Sequence, residues 1–160
     1  MHRRSFLLGA MALAACAPAG PVRLAPNSTL ILTRHGDRSG AESLLNERGE
    51  ARARALVAAL EGLPLDAILS PGLQRNLDTA APLSAARGLP VQRIPQEAPT
   101  AALARAARGR NVIWVGNKGN LREIWETLAL PSAPPLEYGD LAIIRSDAVG
   151  RIEIERRRYG

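Results

Sequence analysis

With 160 residues, the chain is long enough for one domain with its own core and too short for two. Nearly half of it is apolar but only 3% is aromatic. The core is therefore expected to be built from Leu, Ile, Val and Ala, and no aromatic platform is available for stacking nucleic acid bases. The formal charge of +6 rests on arginine, Lys118 being the only lysine. That bias reads as a coding preference, and a mildly basic chain suits anionic small molecules or a lipid surface.

Residues 1–15 read as an export signal and not as part of the fold. Arg3 and Arg4 precede an apolar run from Phe6 to Ala15, too short to span a bilayer as a stable anchor. Setting these residues aside leaves 19 basic against 15 acidic ones. Arg3-Arg4-Ser5-Phe6-Leu7 resembles a bacterial twin-arginine signal, and Leu13-Ala14-Ala15-Cys16 resembles a lipobox. The chain's only cysteine, Cys16, has no partner for an internal disulfide, so lipidation gives it a use. A buried apolar cysteine, or cleavage at Ala12-Leu13-Ala14, are the alternatives. Residues 16–27 carry Pro18, Pro21 and Pro26 and read as an extended tether. The expected arrangement is a lipid-anchored protein in the bacterial cell envelope, facing the periplasm, with a folded domain over 28–160.

From residue 28 onward, strand and helix signals alternate. Thr29–Thr33 is a short apolar strand. Asn46–Leu60 places Gly49, Ala53, Leu56 and Leu60 on one helical face. Asp66–Leu69 is a strand, and Gly72–Ala86 a helix with Leu73, Leu77, Ala80 and Ser84 in line. Pro90–Ile94 is a third strand and Thr100–Arg108 a short helix. Val112–Val115 is a buried strand that turns through Gly116-Asn117-Lys118-Gly119 into a helix ending near Leu130. Asn120 and Glu123 have the spacing of a capping box at its start. Two strands close the chain, Leu141–Arg145 and Arg151–Arg156, joined by a hairpin signal at residues 146–150. This order predicts an α/β three-layer sandwich, its sheet mainly parallel with an antiparallel edge, and more helix than strand.

Ligands of such sheets sit beyond the carboxyl ends of the strands, which singles out the residues after Thr33, Leu69 and Val115. After Thr33 come Arg34, His35 and Gly36, a fixed cation, an imidazole and a flexible glycine. After Leu69, Arg75 lies in the first turns of a helix, where free N–H groups and the dipole favour an anion. Two guanidinium forks converging on one spot suit a phosphoryl group, and a neutral imidazole nitrogen beside them is a nucleophile for phosphorus. The alternative for Arg34 and Arg75 is a pair of surface ion pairs, and for His35 a structural imidazole. Arg156, Arg157 and Arg158 read as the solvated end of an edge strand, where charge discourages sheet pairing; contact with anionic headgroups is the alternative.

The segments "LTRHGDR", "LLNERGEARARAL", "ILSPGLQRNLDTAAPLSAARGL", "VIWVGNKGNLREIW" and the closing "YGDLAII…GRIEIERRRYG" together resemble a short bacterial member of the histidine phosphatase superfamily, the phosphoglycerate mutase-like family. The resemblance implies a phosphoglycerate mutase-like fold and a phosphohydrolase that needs no metal or organic cofactor. It implies His35 as the phosphorylated nucleophile, with Arg34 and Arg75 holding phosphoryl oxygens and Gly36 and Lys118 as further phosphate-binding candidates. It also implies that Asn117 stands where the family carries a second histidine. Asn117 donates a neutral hydrogen bond but supplies no positive charge. Loss of one preorganised donor costs roughly 10²–10³ in rate, so a weakened enzyme is expected. Lys118 either restores positive charge there or decorates the turn. Glu97 and Asp37 are the candidate general acids. The short connections at residues 37–45 and 95–99 leave no cap, which suits a phosphorylated small molecule or a phosphoprotein equally. An inactive pseudophosphatase that binds a phosphorylated partner is the rival reading, and a purely structural envelope module a third.

Overall fold

A computed structural model describes residues 20–160; the export signal, the lipobox and Cys16 lie outside the described residues. Six strands form one sheet in the order β3-β2-β4-β1-β5-β6. They are β1 (Ser28–Arg34), β2 (Ala67–Ser70), β3 (Val91–Arg93), β4 (Asn111–Gly116), β5 (Asp140–Ser146) and β6 (Ile152–Arg158). The first four run parallel, and β5 and β6 add an antiparallel edge. Four helices complete the fold: α1 (Glu47–Ala59), α2 (Gln74–Arg87), α3 (Thr100–Ala106) and α4 (Lys118–Thr127). The three-layer α/β architecture is the expected one, with helix exceeding strand.

Side chains of a strand alternate between its faces, and this sheet divides its apolar residues accordingly. Leu30, Leu32, Val112, Trp114, Ala142 and Ile144 pack on one side with Leu103 of α3 and Leu121, Ile124 and Trp125 of α4. Ile31, Ile68, Ile113, Val115, Leu141 and Ile143 pack on the other with Leu56 of α1 and Ala80 and Leu83 of α2. Such a buried side chain contributes about 1.5–3 kcal/mol relative to exposure. Burial on both faces also explains why the parallel strands read as continuous apolar runs.

Three local expectations need correction. The packed domain begins before residue 28, because Leu24 is buried in the α3/α4-side core and Val22 packs against it. Proline fixed the local conformation of this segment without keeping it off the domain. The buried face of α2 is Asn76, Thr79, Ala80 and Leu83, not the apolar line through Leu73 and Leu77. Asn76 and Thr79 turn inward because the strand ends offer them partners: Asn76 Nδ2 donates to Val115 O at 3.0 Å, and Gly36 N donates to Thr79 Oγ1 at 2.8 Å. Finally, α4 begins three residues earlier than expected, with Asn117 as its N-cap and Asn120 as the reciprocal partner.

Candidate functional site

The parallel strands β1, β2 and β4 end side by side, with Arg34 opposite Gly116 in the register and His35 N donating to Gly116 O at 2.9 Å. The residue after β1 is therefore held at the mouth of the sheet. His35 is 2% exposed, and its Nδ1 lies 2.7 Å from Gly36 O. A carbonyl oxygen only accepts, so Nδ1 carries the proton and Nε2 keeps its lone pair. Arg75 Nε donates to that Nε2 at 3.3 Å. Burial is the main cause that drives the imidazole pKa down to about 4, with Arg34, Arg75 and Arg38 adding to the depression. At neutral pH His35 is an uncharged base among three cations.

Arg75 reaches this place through Thr79, whose hydroxyl donates to Arg75 O at 2.7 Å while accepting from Gly36 N. One side chain thus ties α2 to the loop that carries His35. The loop itself lies close against α1. A Cβ on Gly49 would fall 2.1 Å from Asp37 O, and one on Gly36 would fall 2.6 Å from Gly49 O. Two glycines at this crossing let backbone meet backbone. Gly36 therefore serves packing, and its N–H is taken by Thr79.

Arg34 Nη1 donates to Leu136 O at 3.3 Å, and its guanidinium lies 3.7 Å from the centroid of the Tyr138 ring. Its Nε is buried without a partner, and burial lowers its pKa. Tyr138 also meets His35 edge-on, with ring centroids 5.8 Å apart. The structure therefore brings Arg34, His35 and Arg75 together, as expected, and adds Tyr138 and Arg38.

Asn117 sits past the end of β4, where a ligand-facing residue was anticipated, but its side-chain oxygen is occupied. Oδ1 accepts from Gly119 N at 3.1 Å and Asn120 N at 3.2 Å, while Asn120 Oδ1 accepts from Asn117 N at 2.9 Å and Trp114 Nε1 at 3.1 Å. Only Nδ2 remains, 3.4 Å from Gln96 Oε1. Here asparagine is an N-cap, a role its short carbonyl suits.

Of the remaining candidates, Lys118 pairs with Glu137 at 3.1 Å across an exposed bridge. The bridge draws its ammonium toward the loop before β5. Asp37 is engaged away from His35. Its carboxylate is buried and bound by Arg52 at 2.6 Å and Arg48 at 3.5 Å. Glu97 is exposed in the loop after β3, next to the Gln96 that touches Asn117. No group of three or more His, Cys, Asp or Glu that could hold a metal ion occurs among the described residues.

Several members of this site escaped the sequence reading. Tyr138 lies in a proline-flanked loop with no periodicity to flag it. Arg52 shows only as a polar residue within the amphipathic pattern of α1, yet it is 4% exposed and donates to Tyr159 O and Gly160 O at 2.6 and 2.8 Å. It joins the chain's last residues to Asp37. Tyr159 in turn reaches Thr33 Oγ1 at 2.8 Å, and burial raises its pKa to about 12.

Residues 30–96 match the sequence profile of the histidine phosphatase superfamily (branch 1), a span that includes Arg34, His35 and Arg75. Among solved structures, a mycobacterial glucosyl-3-phosphoglycerate phosphatase aligns with a TM-score of 0.65 at 16% identity, over 83% of this chain and 99% of its own. A candidate phosphohistidine phosphatase SixA from Agrobacterium tumefaciens aligns at 0.59 with 24% identity, over 84% and 99%. A protein histidine phosphatase SixA bound to tungstate aligns at 0.63 with 15% identity, over 81% and 96%. Among curated proteins none matches in sequence. The described domain has the histidine phosphatase fold, and residues 30–96 match that superfamily in sequence.

Proposed function

We infer that the chain is a phosphohydrolase of the histidine phosphatase type, acting on phosphomonoesters through a phosphohistidine on His35. The observation that carries this reading is the state of that imidazole: buried, uncharged, its Nδ1 proton held by Gly36 O, its Nε2 lone pair beside Arg75. In the first step Nε2 bonds to phosphorus and the ester P–O bond breaks, the leaving oxygen taking a proton. Water then attacks the phosphorus and gives a proton back to the group that protonated the leaving oxygen, the N–P bond breaks, and orthophosphate leaves with Nε2 restored. Arg75, freed from Nε2 once that lone pair is engaged, turns to a phosphoryl oxygen. The buried Nε of Arg34 is a donor that the same group would satisfy. Glu97 is the proton donor in this reading, since Asp37 is bound to Arg52.

The matched superfamily supports this chemistry. The similar structures carry names of phosphatases with different substrates, so they support the reaction class and not a choice among phosphorylated small molecules and phosphoproteins. Turnover is slow in this reading, because Asn117 brings no charge and its carbonyl serves the helix. The same observation favours a second reading, a pseudophosphatase that binds a phosphorylated ligand without hydrolysing it. In either case the protein is held in the bacterial envelope by a lipid on Cys16.

The test is hydrolysis of an aryl phosphate series by the protein and by His35→Ala and Glu97→Gln. Hydrolysis that is lost in His35→Ala, with an acid-labile phosphoenzyme in the starting protein, establishes the phosphatase. A Glu97→Gln loss that grows with leaving-group basicity establishes the acid. No turnover, together with a rise in melting temperature on adding phosphate, selects the binding protein instead.

A further inference from the structure

We propose that the end of the domain opposite His35 is a docking face for an anionic phospholipid surface. This inference is independent of the phosphatase reading. A groove of about 720 Å3 opens there between Val22, Leu24, Leu128, Leu130, Val149 and Ile152. Arg23 and Arg108 line the same groove, and Arg151 precedes Ile152 in the hairpin. All three arginines are exposed, and none forms an ion pair among the described residues. The hairpin's own acid, Asp147, spends Oδ1 on the backbone N–H groups of Val149 and Arg151.

Val149 is 74% exposed and Ile152 41%, two of the three large apolar side chains left in solvent among the described residues. An apolar surface ringed by unpaired arginines is complementary to a bilayer interface, where apolar side chains enter the acyl boundary and cations meet anionic headgroups. A second copy of the chain fits less well, since it would bring the same three cations together around a two-fold axis.

The placement gives the docking a consequence. Asn27 N donates to Asp147 O at 3.1 Å and Thr29 N to Arg110 O at 2.9 Å, so the groove flanks the starting edges of β1 and β4. His35 follows their ends, one strand length away, roughly 20 Å at the usual rise per residue. A domain seated on this face points its active site away from the membrane. The described chain enters at Gly20, beside groove residue Pro21, and the sequence ahead of it holds the apolar run Phe6–Ala15 and Cys16. Any anchoring through that segment delivers this face to the lipid.

The experiment uses the full chain carrying Cys16→Ser and one introduced cysteine, either Val149→Cys or Ser43→Cys, labelled with an environment-sensitive dye. Ser43 is exposed in the loop after β1, at the active-site end. Vesicles are phosphatidylcholine alone or mixed with phosphatidylglycerol. The expected result is a blue shift and a severalfold brighter dye at position 149 on the anionic vesicles only, with position 43 unchanged. Arg23→Glu with Arg108→Glu and Arg151→Glu is expected to abolish that shift. An unshifted dye at position 149 overturns the proposal, whether or not the chain sediments with the vesicles. An equal shift on both lipids overturns the anionic specificity. A shift that rises with protein concentration and without lipid makes the occupant a second copy, and overturns it too.

Discussion

Asn117→His is expected to move stability and activity in opposite directions. The asparagine oxygen caps two N–H groups of the first turn of α4, and its backbone N–H is held by Asn120 in return. Imidazole is a poor substitute for that short carbonyl, and loss of a good N-cap costs about 1 kcal/mol, with a range of 0.5–2. For a domain of this size that is a fall of about 3–5 °C in melting temperature. The new side chain meanwhile brings a titratable cation to the strand end that already gathers Arg34, His35 and Arg75. A preorganised donor to the transferring phosphoryl group is worth roughly 10²–10³ in rate. Asn117 Nδ2 already offers a neutral donor, so the expected gain in kcat falls short of that range, at about tenfold to a hundredfold. Thermal denaturation and aryl phosphate hydrolysis on the same preparations test both halves. A variant that melts with the starting protein would refute the capping argument. One that melts lower yet hydrolyses no faster would refute the argument that this position faces the reaction.

Three further outcomes follow from the geometry. Because the folded pKa of His35 is about 4 against 6.5 when unfolded, the unfolded chain binds the extra proton between those values. Stability is therefore lost as pH falls through that window. His35 alone accounts for roughly 2–3 kcal/mol between pH 7.5 and 4.5, and urea melts of His35→Asn at the two pH values should show a correspondingly smaller drop. Arg52→Met leaves the buried Asp37 with only the 3.5 Å contact to Arg48, and breaking such a pair from one side costs about 3–5 kcal/mol. Adding Asp37→Asn to that variant should recover part of the loss in chemical denaturation. Tyr138→Ala removes the ring that orients Arg34 and should raise KM for phosphate esters severalfold with kcat less affected, while Tyr138→Phe keeps the ring and the KM.

Each strand of the sheet, each helix and the closing hairpin can be read from the order of apolar runs and turn residues. Apolar periodicity reports which segments are buried, and the parallel strands here are covered on both faces. Arg34, His35 and Arg75 were legible for a different reason: strand ends are where an α/β sheet presents ligands, and few residue types bind a phosphoryl group. Local signals gave out where partners come from far along the chain. The apolar line through Leu73 and Leu77 pointed α2 the wrong way, because Asn76 and Thr79 follow hydrogen bonds to Val115 and Gly36. Gly36 and Lys118 read as phosphate-binding candidates, and the contacts with Thr79 and Glu137 that hold them in the fold come from distant elements.

What the sequence by itself determined is therefore the architecture, the polar residues at three strand ends, and the grouping there of one imidazole and two arginines. Only the tertiary structure decided the protonation site of His35, the ring of Tyr138 over Arg34, the pairing of Asp37 with Arg52, and the use of Asn117 as a helix cap. The division has a physical cause. Periodicity is a property of neighbouring residues, and a run of Val-Ile-Trp-Val is a buried strand wherever it occurs. A proton's location, or an asparagine's choice between ligand and cap, depends on which acceptors the folded chain brings within 3 Å or so, the reach of a hydrogen bond.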